Sequence, residues 1–160
     1  MRIRKAETSD EEAIWEIISD VIKTGDTYVF SPESTQSEMM SYWLYPQYHA
    51  YVAELEGVVV GTYLLKDNQP GLGSHVANGS YMVASSARGK GVGKAMGQHS
   101  IQEAARLGYH AIQFNIVIAT NKVAVKLWQD LGWQIIGTLP EAFQHLQLGY
   151  VDAHVMYRKV

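Results

Sequence analysis

Hydrophobic positions recur along this chain with two periods, and the switches between them divide it into strands and helices. Residues 2–6 alternate polar and apolar side chains, the pattern of a short edge strand. Ser9 followed by Glu12 has the form of a capping box. Ile14, Ile17, Ile18 and Val21 then repeat at i, i+3, i+4, i+7, which predicts an amphipathic helix stopped by Gly25. A second helix is expected after Ser31-Pro32, since proline is tolerated in a first turn. It carries Met39, Met40, Trp43 and Leu44 and ends before Pro46. Between the helices, Thr27-Tyr28-Val29-Phe30 is aromatic and holds no turn residue, so it needs a surface to pack on.

Residues 51–55 and 58–66 read as a hairpin turning at Glu56-Gly57. Residues 67–74, with Pro70, Gly71 and Gly73, are a predicted loop, and 75–83 another strand. A glycine-rich run follows and opens a helix lasting to Leu107, closed by Gly108. Residues 111–118 are apolar and β-prone. Asn121 then starts a helix with Ala124, Leu127, Trp128 and Leu131 on one face, ended by Gly132. Residues 134–139 and 152–158 are the last predicted strands, with a Gln- and His-rich loop at 140–149 between them. The order β-α-α-β-β-β-α-β-α-β-β, without repeat or linker, predicts one α/β domain over residues 1–160.

Composition narrows the chemistry more than the fold. The chain is 47% hydrophobic and 18% charged, the balance of an ordinary globular domain. A net charge of -3 provides no general attraction to nucleic acid or an anionic membrane, and neither is expected as a partner. The absence of cysteine removes a disulfide framework, a thiolate nucleophile and a cysteine metal site together. No histidine and carboxylate set has metal-ligand spacing, so no metal is expected. No apolar signal core opens the chain, and no stretch approaches the roughly 20 apolar residues of a bilayer span. A cytoplasmic location is expected.

The run Arg88-Gly89-Lys90-Gly91-Val92-Gly93 lies between a strand and a helix. Alternating glycines let the backbone approach a ligand closely. A helix N-terminus adds unpaired N–H groups and the positive end of a dipole, which suit a diphosphate. Arg88, Lys90 and Lys94 contribute cations. The run fails as a Walker A loop, because Lys94 is followed by Ala95 and position 88 is not glycine. It fails as a dinucleotide fingerprint, because Lys94 stands where the last glycine is needed. A purely structural turn does not call for three alternating glycines flanked by three cations.

Arg88-x-x-Gly91-x-Gly93 after Tyr81-Met82-Val83, with Asn121-x-x-Ala124-x-x-Leu127-Trp128 and Leu131-Gly132-Trp133, resembles the acetyl-CoA motifs of the GNAT acetyltransferase superfamily. The likeness runs over essentially the whole chain. It implies the GNAT fold, a mixed central sheet of six to seven strands with four helices and two splayed central strands. It also implies acetyl-CoA as co-substrate, N-acetylation by direct attack in a ternary complex, and a homodimer. Backbone groups of Met82 and Val83 would then pair with the pantetheine, and one of these two amides would polarise the thioester carbonyl. The amides of Arg88, Gly89, Lys90, Gly91, Val92, Gly93 and Lys94 would hold the pyrophosphate. Asn121 would bond the pantetheine or orient the thioester, besides capping its helix.

Trp128 stands where many members of that family carry a tyrosine acid. Its ring N–H is a donor and not a usable acid. A thiol of pKa about 8.5 leaves readily as an anion, so the enzyme reading stands and Trp128 is expected to pack in the core. Asn78 and Asn115 are the candidate catalytic residues, each an amide in a predicted strand that must be hydrogen-bonded if buried. The arrangement Asn78…Phe114-Asn115…Thr120-Asn121 also resembles fungal acetyltransferases of proline analogues such as azetidine-2-carboxylate. That likeness implies that the two amides handle the acceptor's carboxylate and the reacting centre. The alternative is that each only satisfies a backbone group where the strands part.

The proton acceptor is open among Glu54, His75, His145 and a water relayed by Asn115. Tyr28 and Phe30 on one segment, and Phe143 and His145 on another, are expected to wall a pocket for a compact amine, with edge-of-core packing as the alternative. Neither segment carries the acidic cluster that polyamine or aminoglycoside acceptors call for. Three functions stand: acetylation of a small amino acid or analogue, acetylation of a protein N-terminus or lysine, and an acetyl-CoA-binding module without turnover.

Overall fold

In the computed structural model, which describes residues 1–160, seven strands and four α-helices follow in the order the periodicities predict. β1 (Arg2–Lys5), β2 (His49–Leu55), β3 (Val58–Asp67) and β4 (Val76–Val83) form one antiparallel half-sheet. β5 (Ala111–Ile118), β6 (Gln134–His145) and β7 (Gly149–Lys159) form the other, and the spatial order is β1-β2-β3-β4-β5-β7-β6. The halves join at β4 and β5, the one parallel pair, through only Val76↔Ala111 and Ala77↔Ile112. Beyond those two steps the strands diverge, and the remaining six of each strand's eight residues have no partner across the gap. This splay is the organising feature of the molecule.

α1 (Glu11–Lys23) and α2 (Gln36–Trp43) cover one face of the sheet, and α3 (Val92–Arg106) and α4 (Lys122–Asp130) the other. The strand period of two sorts β3 between them: Leu64 packs with Ile14, Ile18 and Trp43, while Tyr63 and Leu65 pack with Met96 and Ile112. The buried Trp43 indole donates to Thr62 Oγ1 at 2.8 Å, and Thr62 donates to the Tyr51 carbonyl at 2.9 Å. α3 sits close on β3 because Gly61 has no side chain; a Cβ there would stand 2.9 Å from Val92. No helix is long and apolar enough to cross a membrane.

Three predicted boundaries differ. The Ser9–Glu12 box does not open α1, because Asp10 accepts the Glu7 N–H at 2.8 Å and forms a bidentate pair with Arg4 at 2.7 and 2.8 Å. α2 begins later than Pro32 suggests, after a reciprocal box in which Thr35 Oγ1 accepts from the Glu38 N–H and Glu38 from the Thr35 N–H. Residues 140–149 are not a loop but the closed end of a long hairpin, since β6 runs to His145 and β7 begins at Gly149. Pro140 is tolerated because β6 is an edge strand and its register shifts between Leu139 and Phe143, with Glu141 at φ 51°.

Arg4 also reaches Glu54 at 2.7 Å, so one guanidinium ties β1, β2 and the approach to α1. Its hydrogen bonds hold the Asp10 carboxyl below its ordinary value of 3.8, against the opposing effect of burial. A depressed carboxyl stabilises the fold above its unfolded pKa, and that contribution fades as the pH falls below it. Asp10→Ala is expected to lower the unfolding free energy by about 2–3 kcal/mol at neutral pH, less than for a wholly buried pair because Arg4 is 23% exposed. Urea denaturation measures this, and the gap between variant and wild type should narrow as the pH drops below about 4.

Candidate active site

Along a strand, alternate residues direct their backbone groups to opposite neighbours. Ala84, just past β4, donates to Val60 of β3 at 2.8 Å, so the even-numbered residues of β4 serve the β3 ladder, Met82 included. Gly79, Tyr81 and Val83 turn their N–H and C=O groups toward the splay. Of the two positions named from the sequence, Val83 turns its backbone groups to the splay and Met82 turns its own to β3; Tyr81 is the other position that faces the splay.

Tyr28, from the segment before α2, satisfies both backbone groups of Tyr81. Its hydroxyl donates to the Tyr81 carbonyl at 2.5 Å and accepts from the Tyr81 N–H at 2.7 Å. A side chain thus replaces the strand that β4 lacks. Burial pushes the hydroxyl's pKa up, so it remains neutral. The Tyr28 ring stacks on Phe30 at 6.0 Å, and Phe30 meets Tyr42 edge-on at 5.4 Å.

A cavity of about 330 Å³ opens between the parted strands. Residues 27–30 and Tyr42 form one wall, and Asn121, Ala124 and Trp128 another. Asn78 and Asn115 both line it. Asn78 is half-buried, and its Nδ2 donates to the Gln113 carbonyl at 3.0 Å, one step past the last parallel pair. It bridges the strands where they separate, the bond that the alternative reading describes. Asn115 is exposed and not enclosed among apolar neighbours, because β5 has no partner there on the splay side. Its Nδ2 donates to Asn68 Oδ1 at 2.8 Å, and its Oδ1 accepts from Gln113 Nε2 at 3.0 Å, making a rim of amides.

Tyr28 and Phe30 line the cavity as expected; Phe143 and His145 do not. Both of the latter are buried in the β6–β7 hairpin, at 6% and 7% exposure. His145 Nδ1 accepts the N–H groups of Gln147 and Leu148, each at 3.1 Å, and so shapes the hairpin turn. Leu146 next to it donates to the Gly25 carbonyl at 3.1 Å. The hairpin tip therefore supports the chain two residues before Thr27 from outside the cavity.

The three side-chain candidates for the proton acceptor also lie elsewhere. Glu54 is paired with Arg4, His75 is exposed just before β4, and His145 is in the hairpin. No carboxylate and no histidine lines the cavity, and Lys66 is its one charged side chain. Lys66 and Tyr42 carried no sequence signal: a lysine near the end of a strand, beside Asp67, reads as ordinary surface.

The glycine run divides its work. Gly89 and Gly91 adopt φ of 74° and 78°, where a side chain is strained. Gly93 has ordinary backbone but stands where a Cβ would be 3.3 Å from Leu127, so it seats α4 against α3. The Arg88 and Lys90 amides turn back to the carbonyls of Ser85 and Ala87 at 3.4 and 3.3 Å. The first bond of α3 comes from the Ala95 amide to Gly91 at 3.0 Å, which leaves the N–H groups of Gly89, Gly91, Val92, Gly93 and Lys94 without a partner in the chain. The side chains of Arg88, Lys90 and Lys94 are in none of the ion pairs. Five amides and three free cations at one helix start fit a diphosphate.

Asn121 caps α4, its Oδ1 accepting from the Ala124 N–H at 3.3 Å, and it also borders the cavity. Lys126 is paired with Asp130 on the surface. Trp128 is 7% exposed and packs on Tyr81, Phe114 and Trp133, with centroids 4.7, 4.8 and 5.3 Å away, the packing role expected of it.

Comparison with known proteins shows the family. The model of the acetyltransferase (GNAT) family matches residues 14–133. The chain is 35% identical over 98 residues to the N-acetyltransferase aca1 of Schizosaccharomyces pombe, covering 61% of this chain and 47% of that protein. It thus spans about half the length of that curated relative. Among solved structures, a GCN5-related N-acetyltransferase from Kribbella flavida superposes with a TM-score of 0.94 at 46% identity, over 99% of this chain and 97% of the other. A ribosomal-protein-alanine N-acetyltransferase from Brucella melitensis gives 0.88 at 27% identity, over 100% of each.

Removing the Tyr28 hydroxyl would leave the N–H and C=O of Tyr81 without a protein partner. Tyr28→Phe is expected to lower the stability of the ligand-free protein by about 1–2 kcal/mol. Thermal unfolding should show the loss, while the stacking of ring 28 on Phe30 is retained.

Proposed function

Because the chain belongs to the GNAT acetyltransferase family, we propose that it transfers the acetyl group of acetyl-CoA to the amine of a small amino acid or amino-acid analogue, by direct attack in a ternary complex. The observation that carries this reading is the continuity of the anion cradle with the splay. The five free amides at residues 89–94 suit the pyrophosphate, with Arg88, Lys90 and Lys94 around it. Val83, next along β4, offers its backbone groups to the pantetheine, and Asn121 borders the same path. The Tyr81 N–H is then the donor for the thioester carbonyl, available once the Tyr28 hydroxyl releases it.

In this mechanism the neutral amine attacks the thioester carbon, the Tyr81 amide holds the developing oxyanion, and the thiolate leaves without a dedicated acid. Asn78 ties β4 to β5 at the point where they part and so holds the splay open in one shape. Asn115, on the amide rim with Asn68 and Gln113, positions the water that carries the amine's proton away. The cavity, at about 330 Å³, lies at the small end of ligand pockets. A protein terminus would need an open groove, whereas residues 27–30 lie across the splay and are bonded to β4. A cytoplasmic location belongs to the same reading.

A homodimer is part of this proposal. Ile136, Leu139, Leu148 and Tyr150 of the β6–β7 hairpin are 58%, 41%, 63% and 66% exposed, large apolar side chains that a second copy would cover. Sedimentation equilibrium is expected to give twice the chain mass, and Ile136→Lys with Leu148→Lys to give the monomer.

The acceptor class is tested by following thiol release from acetyl-CoA across amino acids, proline analogues, phosphinic amino acids and short peptides. Turnover is expected with the small amino acids. Turnover on peptides alone would establish the protein-directed reading, and acetyl-CoA binding without turnover on any amine the non-catalytic one.

A further inference from the structure

Lys66 is the one charged side chain lining the cavity, and none of the ion pairs of the chain includes it. Its neighbour Asp67 lies on the opposite face of β3, where it accepts the Tyr109 hydroxyl at 2.7 Å. The ammonium lies instead over two aromatic faces, 4.9 Å from the Tyr42 centroid and 5.2 Å from that of Tyr48. Those rings fix its position without neutralising it, because a ring quadrupole attracts a cation but contributes no net charge. Lys66 also stands opposite Asn78 in the β3–β4 register, so the cation and the amide that bridges the splay share one face of the sheet. Burial disfavours the ammonium, but Tyr42 and Tyr48 more than offset that, so Lys66 stands charged, without a carboxylate partner, where an anion brought by a ligand can meet it.

We propose that Lys66 binds an anionic group of the acceptor, a carboxylate or its phosphinate equivalent, and so selects amines that carry an acid over amines that do not. This rests on the small-amine reading and deepens it. The contact is charge-assisted, with Lys66 donating to an anionic oxygen, and the cavity holds no carboxylate to compete for the lysine. Tyr42 and Tyr48 hold the side chain in place before the acceptor arrives, which lowers the entropic cost of the contact.

The experiment compares each amino acid with its own amide and methyl ester in the thiol-release assay, for wild type, Lys66→Met and Lys66→Arg. Met keeps the packing against the two rings, and a thermal melt confirms that the variant folds. Wild type is expected to prefer the free acid, and Lys66→Met to lose roughly ten- to a hundredfold in kcat/KM on the acid, mainly through KM, and little on the amide. Lys66→Arg should retain the preference for the acid. If small amines turn over without preferring the acid, or if the preference survives in Lys66→Met, the Lys66 assignment is overturned and the small-amine reading stands. Turnover on peptides alone, or on no amine, overturns both.

Discussion

The parting of β4 from β5 after two parallel steps governs this structure, because it exposes backbone groups inside a fold that otherwise pairs them. An unpaired N–H or C=O away from water carries a cost comparable to a lost hydrogen bond. The chain meets that cost with side chains. Asn78 reaches across to Gln113 at the point of separation, and the Tyr28 hydroxyl takes both groups of Tyr81 further along. The groups left without a protein partner lie beyond these two, at Val83 and at the amides opening α3, while the Tyr81 N–H is open to a ligand only when the Tyr28 hydroxyl gives way.

Such a gap persists only if its edges are rigid, and Tyr81 shows how that is achieved. Its backbone is tied to Tyr28, while its ring stacks 5.3 Å from Tyr63, which stacks in turn 4.7 Å from Tyr51. The Tyr81 hydroxyl donates to Ser100 on α3 at 2.8 Å, and Trp128 of α4 lies against the same ring. The amide facing the splay is therefore held from both sides of the sheet. Its N–H is thus fixed in direction, and on the proposed reading a ligand that displaces the Tyr28 hydroxyl finds it already aimed at the splay. Gly97 serves the same end, since a Cβ there would stand 2.5 Å from Leu131 and push α4 off α3.

The local periodicities were enough to read the elements, their order and the glycine cradle. Each depends on neighbours in sequence: Ile14, Ile17 and Ile18 on a helical face, or Gly89 and Gly91 at positive φ. What escaped depends on neighbours in space. Whether Met82 or Tyr81 faces the splay is set by the parity of the β3–β4 register, which composition does not encode. Phe143 and His145 resembled loop aromatics because proline and glutamine hid an edge strand that absorbs Pro140 in a register shift. Lys66 acquires meaning only when β3, α2 and the splay surround it. The capping of α1 was missed for a related reason: Asp10 answers to Arg4, six residues away, as well as to its own turn.

The electrostatics of the cavity bear on the step for which no side-chain base is at hand. A protonated amine entering this space meets Lys66 and no carboxylate or imidazole. Desolvation and a like charge both lower the pKa of an ammonium, while an acidic neighbour would raise it. On the proposed reading the acceptor brings its own acid group, and Lys66 neutralises that anion, so it does less to stabilise the neighbouring ammonium. The neutral, nucleophilic form is then the one the pocket favours, and a water on the Asn115 rim suffices to take the proton. On that reading the lack of a side-chain base in the cavity and the lysine outside every ion pair belong together: the charge of the site, and not a single catalytic group, prepares the amine.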